Sequence, residues 1–394
     1  MAKSKEFRAE LLKFVLIPLI LYVIGLLELY SIKEFYFWRQ LVWGLLAISL
    51  GFLIYHIPTD IFDVLSVPIY IFSMLTLVVV LGVPQAGPKR WIRVAGFNLQ
   101  PSEFAKVALI LMLAKLFDRK RINRQLFKAA LASIVPFGLV LIEPDLGTAG
   151  TFGLLFMGIA YLAGVDSRPI ALILTALFSA LASFSPTLFV LLLVGIIAVS
   201  RVLRYPVSFA ILLFFTSIII GLITPVIWEQ GLHEYQRKRI IAFFNPEKYQ
   251  KGIGWQIVQA RIALGSGGLF GKGFRKGTQK GLAFLPAAHT DFIFSSIGEE
   301  FGFMATVLII VAFAVWISLV LGTSSKFTNR FRKILGYGVA LNIAFHAAIN
   351  IASNIGFFPV VGLPLPFITY GGSHLLVEAA MIALFLRALK EESE

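Results

Sequence analysis

Hydrophobic and polar positions in this chain come in long blocks, not at short period. Apolar runs occupy residues 11–30, 40–57, 63–82, 103–117, 127–142, 148–164, 169–184, 187–200, 206–227, 292–321, 334–356 and 374–389. Most are about 16 to 25 residues long, and a helix needs roughly 20 to cross about 30 Å of hydrocarbon. Helix is the favoured spanning form because it satisfies its own backbone hydrogen bonds. A membrane barrel would show alternating segments of about ten residues, and none is present. The pattern therefore predicts an all-α integral membrane protein, a polytopic bundle of ten to twelve transmembrane helices forming one domain over 1–394. The count turns on 169–200. There Ser185-Pro186 joins two short runs, read either as an extra helical hairpin or as one broken segment. The first run is longer than the core of a signal peptide, and no small-residue cleavage site follows it.

Composition agrees with this. The chain has 394 residues, 58% hydrophobic and 14% charged, whereas soluble domains carry about 25% charged residues. It has no cysteine, which excludes disulfides and thiol chemistry. A formal net charge of +14 would suggest nucleic acid in a soluble chain. In a membrane chain basic cytoplasmic loops explain it, and no nucleic-acid partner is expected.

The basic residues also set an orientation. With Lys3, Lys5 and Arg8 in the cytoplasm, Arg119–Arg124, Arg201, Arg204, Lys326–Lys333, Arg387 and Lys390 fall on the same side. That alternation needs an even number of spans. Both termini are then cytoplasmic. Two segments break the rule by being basic and extracytoplasmic: 83–102, with Lys89, Arg90 and Arg93, and the long loop at about 228–290. Long loops tolerate such charge. The functional reading is an electropositive surface for an anionic group at the membrane face, and a lipid-linked phosphate or pyrophosphate fits best. A loop that long is usually functional or disordered, and its aromatic and glycine content argues for order.

Several constellations sit at that face. Gln100-Pro101-Ser102-Glu103-Phe104-Ala105-Lys106 starts a helix, with Pro101 suited to the first position. Glu103 and Lys106 share one face three residues apart, either as a structural ion pair or with Lys106 reaching a phosphate in a cavity. Glu143-Pro144-Asp145-Leu146-Gly147-Thr148 joins two spans, with Asp145 as a helix cap or as a metal or base-orienting group. Asp291, at the end of Leu285–Phe294, is a helix cap or a general base toward a hydroxyl. Glu299 and Glu300 read as structural. Gly265–Gly273 superficially resembles a phosphate loop, but the spacing fails, leaving a tight turn with exposed amides and only a weak anion nest. Asn342, His346, Asn350 and Asn354 form a stripe at period four that hydrogen-bonds neighbouring helices or lines a cavity. Gly362–Ser373 reads as a stiff re-entrant or surface loop.

In this order these segments resemble the SEDS family (shape, elongation, division and sporulation) over nearly the whole chain. The motifs are KRW at 89–91, QPSEFAK at 100–106, EPDLGT at 143–148, the tract at 245–274, LPAAHTDFIFSSIGEE at 285–300 and GLPLPFITYGGS at 362–373. GSGGLFGKGF with GTQ at 277–279 is more similar to the elongation branch than to the division branch. The resemblance implies a peptidoglycan glycosyltransferase that polymerises lipid II into glycan strands at the outer face of the cytoplasmic membrane. It implies Asp291 as the essential aspartate, with Glu103, Lys106 and Asp145 at family positions; the expected mechanism is an inverting transfer with Asp291 as general base. Arg90 and Lys89 join them as substrate-binding candidates, and the leaving group is undecaprenyl pyrophosphate. The family core has ten spans, so the extra pair at 169–200 is a departure. The implied partners are a class B penicillin-binding protein that crosslinks the product and other membrane proteins of the elongation complex. A divalent cation, magnesium or manganese, is an optional further source of positive charge; no metal ligand is assigned. The competing expectations are a flippase for a lipid-linked precursor, with Glu103, Lys106 and His346 along its pathway, and a scaffold without chemistry.

Overall fold

The twelve apolar runs all fold as helices, to within two residues at either end of each run. This computed structural model describes residues 2–82, 90–94, 97–118, 122–231, 237, 241, 243, 253–281, 284–285 and 287–394. The elements are α1 (Ala2–Ile32), α2 (Glu34–His56), α3 (Thr59–Gly82), β1 (Ile92–Val94), β2 (Phe97–Leu99), α4 (Pro101–Phe117), α5 (Ile122–Ile142) and α6 (Leu146–Leu162). They continue with α7 (Ser167–Ala182), α8 (Pro186–Val202), α9 (Val207–Gln230), α10 (Ile253–Ser266), α11 (Thr278–Gly281), α12 (Ile293–Ser325), α13 (Arg330–Ile355) and α14 (Gly372–Ser393). Among them eight are long and apolar enough to cross a membrane by length and composition. The chain is a polytopic helical membrane protein.

Local chemistry sets the boundaries. Pro101 opens α4, where its missing amide costs nothing. Asp145 accepts from the Thr148 amide at 3.2 Å and caps α6. Asn329 accepts from the Arg332 amide at 3.1 Å and caps α13, which ends at Gly356 with φ +91°. Ser185 and Pro186 separate α7 from α8, so 169–200 forms two helices that pack on each other. The β1–β2 hairpin, with Ile92 opposite Leu99, was not expected. Three residues per strand give too short a period-two signal to read among helices.

The contacts divide into two units: residues 1–163 with 245–394, and residues 164–244. In the smaller one, α7, α8 and α9 pack on one another, and Phe184 meets Trp228 edge-on with ring centroids 5.0 Å apart. In the larger one, α13 packs against α4, α6, α12 and α14. Over an 18-residue apolar stretch, the mean hydropathy of α13 is 1.5 with 67% of that stretch buried, against 2.7 and 28% for α12. The helix facing protein is thus the more polar one, as expected where side chains bond across helices instead of facing lipid.

Helix α12 is broken at Gly302, whose φ is +81°. The break frees backbone groups that the glycine tract before α11 satisfies. The Lys272 and Gly273 amides donate to the Glu299 and Glu300 carbonyls, both at 3.0 Å, and the Phe303 amide donates to the Gly268 carbonyl at 2.9 Å. The Gly271, Lys272 and Gly273 amides of this turn are therefore spent on backbone carbonyls and are not open to an anion. They mend a helix kink, which irregular backbone at membrane depth requires.

Part of the basic loop is likewise spent inside. Lys272 pairs with Glu299 at 2.6 Å. Lys280 lies between Glu28 at 2.8 Å and Glu300 at 2.7 Å, and both carboxylates are fully buried. Arg275 pairs with Glu34 at 3.5 Å and stacks over Tyr30, while Arg261 donates to the Gly356 carbonyl at 3.2 Å. These four basic residues neutralise or cap groups of the bundle, and Glu299 and Glu300 are the internal partners of two of them. Replacing Lys280 by Met leaves two carboxylates buried without their cation. Loss of one partner of a buried pair costs about 3–5 kcal/mol. Lys280→Met is therefore expected to lower the thermal midpoint of the detergent-solubilised protein markedly. An unchanged midpoint would show that the clasp adds nothing.

Candidate functional site

Glu103 lies in the first turn of α4 and Lys106 one turn later. Their side chains meet at 2.7 Å, and Lys106 has no solvent exposure. The Lys106 ammonium also reaches His346 Nε2 on α13, at 2.8 Å. The ion pair is thus present, and His346, which the sequence grouped with it only as a pathway residue, is its direct third member. Further along, α14 adds buried His374, bonded through Nε2 to the Thr369 carbonyl at 2.9 Å, and buried Glu378, which accepts from the Phe367 amide at 2.9 Å. Their spacing of four residues was the available signal.

The turn between α5 and α6 is held from outside. Arg90 donates to the Glu143 carbonyl at 3.1 Å and to the Pro144 carbonyl, and its guanidinium lies 3.4 Å from Asp145. Asp145 has the capping role its position suggested. Arg90 enters the site through the turn it fixes. Lys89 lies outside the described residues. Neither carboxylate oxygen of Glu143 has a hydrogen-bond partner among the described residues, and the side chain is fully buried.

Asp291 lies two residues before the start of α12 and is partly exposed. Its peptide carbonyl is gripped by α13, accepting from Asn350 Nδ2 at 3.3 Å and Asn354 Nδ2 at 2.8 Å. Asn354 Oδ1 in turn takes the Ser295 amide at 3.1 Å, so at Ser295 the start of α12 is capped by Asn354. Nearby, His289 stacks on Tyr36 with centroids 4.2 Å apart, and burial pushes its imidazole pKa down.

These pieces meet at four consecutive residues of the loop between α13 and α14. At Val361, a Cβ added to Gly147 would lie 2.5 Å from the carbonyl oxygen, so only glycine lets the α5–α6 turn approach. At Gly362, an added Cβ would lie 3.8 Å from Asp291 Oδ2. The Leu363 carbonyl accepts from Asn350 at 2.8 Å. The backbone of Pro364 is hydrogen-bonded by His346, which holds Lys106. Beyond the exposed Gly362 the loop turns inward: Leu365 and Ile368 have no exposure, and Gln40 on α2 binds the Gly371 amide at 3.0 Å. From Leu363 to Thr369 the loop is thus packed within the bundle more than laid on its surface. It brings Asp145 and Arg90, Asp291, and Glu103 with Lys106 around a single hub. The stripe on α13 is what joins them.

Among the described residues, no group of three or more His, Asp or Glu side chains is arranged to hold a metal ion. The donors present therefore do not form an all-protein metal cage. The chemistry on offer is a carboxylate at an accessible junction, with an ammonium and a guanidinium fixed nearby.

A family profile described as "cell cycle protein", covering FtsW, RodA and SpoVE, matches residues 8–207 and 184–394. The probable peptidoglycan glycosyltransferase FtsW of Trichlorobacter lovleyi is 34% identical over 88% of this chain and 82% of its own length. The peptidoglycan glycosyltransferase MrdB of Escherichia coli K12 is 30% identical over 82% of this chain and 77% of its own. The peptidoglycan glycosyltransferase RodA of Treponema pallidum is 32% identical over 75% of each. A chain from a structure on the coordination of polymerization and crosslinking by a peptidoglycan synthase complex superposes with TM-score 0.71 at 24% identity, covering 96% of this chain and 97% of that one. The rod shape determining protein RodA of Thermus thermophilus superposes with TM-score 0.65 at 23% identity over 97% of each. At those identities the likeness to the solved structures is one of fold.

Glu143 supplies a pH test of this geometry. Burial first, then the Asp145 carboxylate, raise its pKa from 4.5 to about 8, with Arg90 opposing. The folded protein then holds a proton that the unfolded chain releases. Its contribution to stability is complete below about pH 4.5 and is lost as pH rises through about 8. Glu143→Gln is expected to remove that decline. The check is the thermal midpoint of both proteins at about pH 5, 7 and 9, spanning this window. Parallel pH curves for the two would contradict the buried protonated carboxyl.

Proposed function

This chain belongs to the cell cycle protein family of FtsW, RodA and SpoVE, and we propose that it is a peptidoglycan glycosyltransferase that polymerises lipid II. The observation that carries this reading is the hub at Val361–Pro364, which Asp291, partly exposed, approaches directly and to which the Lys106 and Arg90 cations are linked through His346 and through the α5–α6 turn. The names of relatives at 30–34% identity over most of the chain support the reaction class.

In the proposed step, Asp291 accepts the proton of the acceptor sugar's 4-hydroxyl as that oxygen attacks the donor's anomeric carbon. The bond from that carbon to the pyrophosphate breaks with inversion, and undecaprenyl pyrophosphate leaves. A pyrophosphate is a good enough leaving group to need no protonated acid, unlike the alcohol expelled from an ordinary glycoside. Lys106 and Arg90 offset the charge that develops on it. Lys106 is closed off from solvent, so a direct contact requires the headgroup to enter between α4 and α13. Glu103 holds the ammonium in place, and Asp145 caps the turn that Arg90 braces. A divalent cation would take one carboxylate of this site together with the substrate's own phosphates, as magnesium commonly does.

The remaining parts of the reading rest on charge, motif and analogy. The basic termini and short basic loops support a site at the outer face of the cytoplasmic membrane and both termini in the cytoplasm. The tract at 265–279 favours the elongation branch, although relatives named FtsW, MrdB and RodA match at comparable identity. Likeness to a chain of a complex coordinating polymerization and crosslinking supports a class B penicillin-binding protein as partner. A flippase gains less support: the apolar groove of about 440 Å³ beside α1, α2 and α14 is lined by none of Glu103, Lys106 or His346.

The test is purified protein in detergent with labelled lipid II, with and without the partner transpeptidase, assayed for glycan chains. The wild type is expected to make chains. Asp291→Asn keeps the shape, loses the base and should slow polymerisation by about 10²–10⁴-fold. Folded Asp291→Asn working at the wild-type rate would end the assignment. Lipid translocation without chains would favour the flippase, and neither activity would favour the scaffold.

A further inference from the structure

His346 contacts Lys106 and no proposed reacting atom, yet its bonds are tightly specified. A lysine ammonium has three donors and no acceptor. His346 Nε2, 2.8 Å from Lys106 Nζ, must therefore offer its lone pair. The ring also hydrogen-bonds the backbone of Pro364. Proline has no amide hydrogen, so its carbonyl accepts and the imidazole donates from Nδ1. Both partners together demand one neutral tautomer in one orientation. The ring is 2% exposed, so water does not substitute for either partner.

One helical turn further along α13, about 6 Å on, Asn350 binds the Leu363 and Asp291 carbonyls, and Asn354 binds the Asp291 carbonyl again. The same helix face therefore fixes the ammonium and the peptide of the carboxylate. We infer that His346 is a positioning residue for sugar transfer, whose neutral imidazole holds the Lys106 ammonium in register with Asp291 by anchoring both Lys106 and Pro364 to α13. This rests on the proposed roles of Lys106 and Asp291. It assigns His346 no contact with substrate.

The chemistry that His346 supplies is one acceptor toward Lys106 and one donor toward Pro364. A glutamine side chain carries both on its amide, and leucine carries neither while filling a similar volume. The test measures initial rates of lipid II polymerisation by the full-length protein for His346→Leu, His346→Gln and Lys106→Met, with thermal midpoints recorded for each. His346→Leu is expected to lose about 10²-fold, the cost of displacing a charge by about 1 Å in a preorganised site. His346→Gln is expected to recover most of that loss. Equal loss in the Leu and Gln variants would overturn the inference, because packing alone would then explain it. So would a wild-type rate in His346→Leu while Lys106→Met is inactive. A wild-type rate in Lys106→Met would remove the role of Lys106 itself, and so tells the failure of the underlying reading apart from the failure of this one.

Discussion

Between Leu363 and Thr369 the chain carries peptide groups into the interior of a helix bundle, where each unsatisfied group costs several kcal/mol. Much of the site follows from how that demand is met. The Leu363 carbonyl takes Asn350, and the Pro364 backbone takes His346. Those side chains cannot move without orphaning a buried carbonyl. The groups they also hold, the Asp291 peptide and the Lys106 ammonium, are fixed by the same requirement. Precision in the site is thus a by-product of satisfying a buried loop.

Charge is handled in the same way. Lys280 and Lys272 do not form an open positive surface; they meet carboxylates on α1 and α12 that would otherwise be stranded. Arg90 is turned toward carbonyls and a carboxylate of the α5–α6 turn. These pairs tie the loop after α10 and the segment before β1 to the helices that carry Asp291 and Asp145. A basic loop in the sequence is here partly a set of internal clasps.

Much of the fold was legible because membrane crossing imposes a coarse pattern that apolar blocks reveal. Ser185-Pro186 was enough to mark the break between α7 and α8. The local pairs Glu103–Lys106 and Asp145–Thr148 were also readable, since both lie within a helical turn. The hub was not. His346 lies 240 residues from Lys106, and Asn354 lies 63 from Asp291. The period-four stripe announced that α13 bonds its neighbours without saying which. The kink at Gly302 was hidden because its repair comes from a glycine tract that resembled a phosphate loop.

The claim on which the rest depends is that one substrate is held by Asp291 and Lys106 together. The most direct measurement is a structure of the protein with lipid II bound in a lipid nanodisc. The expected result has the pyrophosphate beside Lys106 and Arg90, with an acceptor hydroxyl within hydrogen-bond distance of the Asp291 carboxylate. A pyrophosphate bound away from Lys106, or an Asp291 facing no sugar, would contradict it.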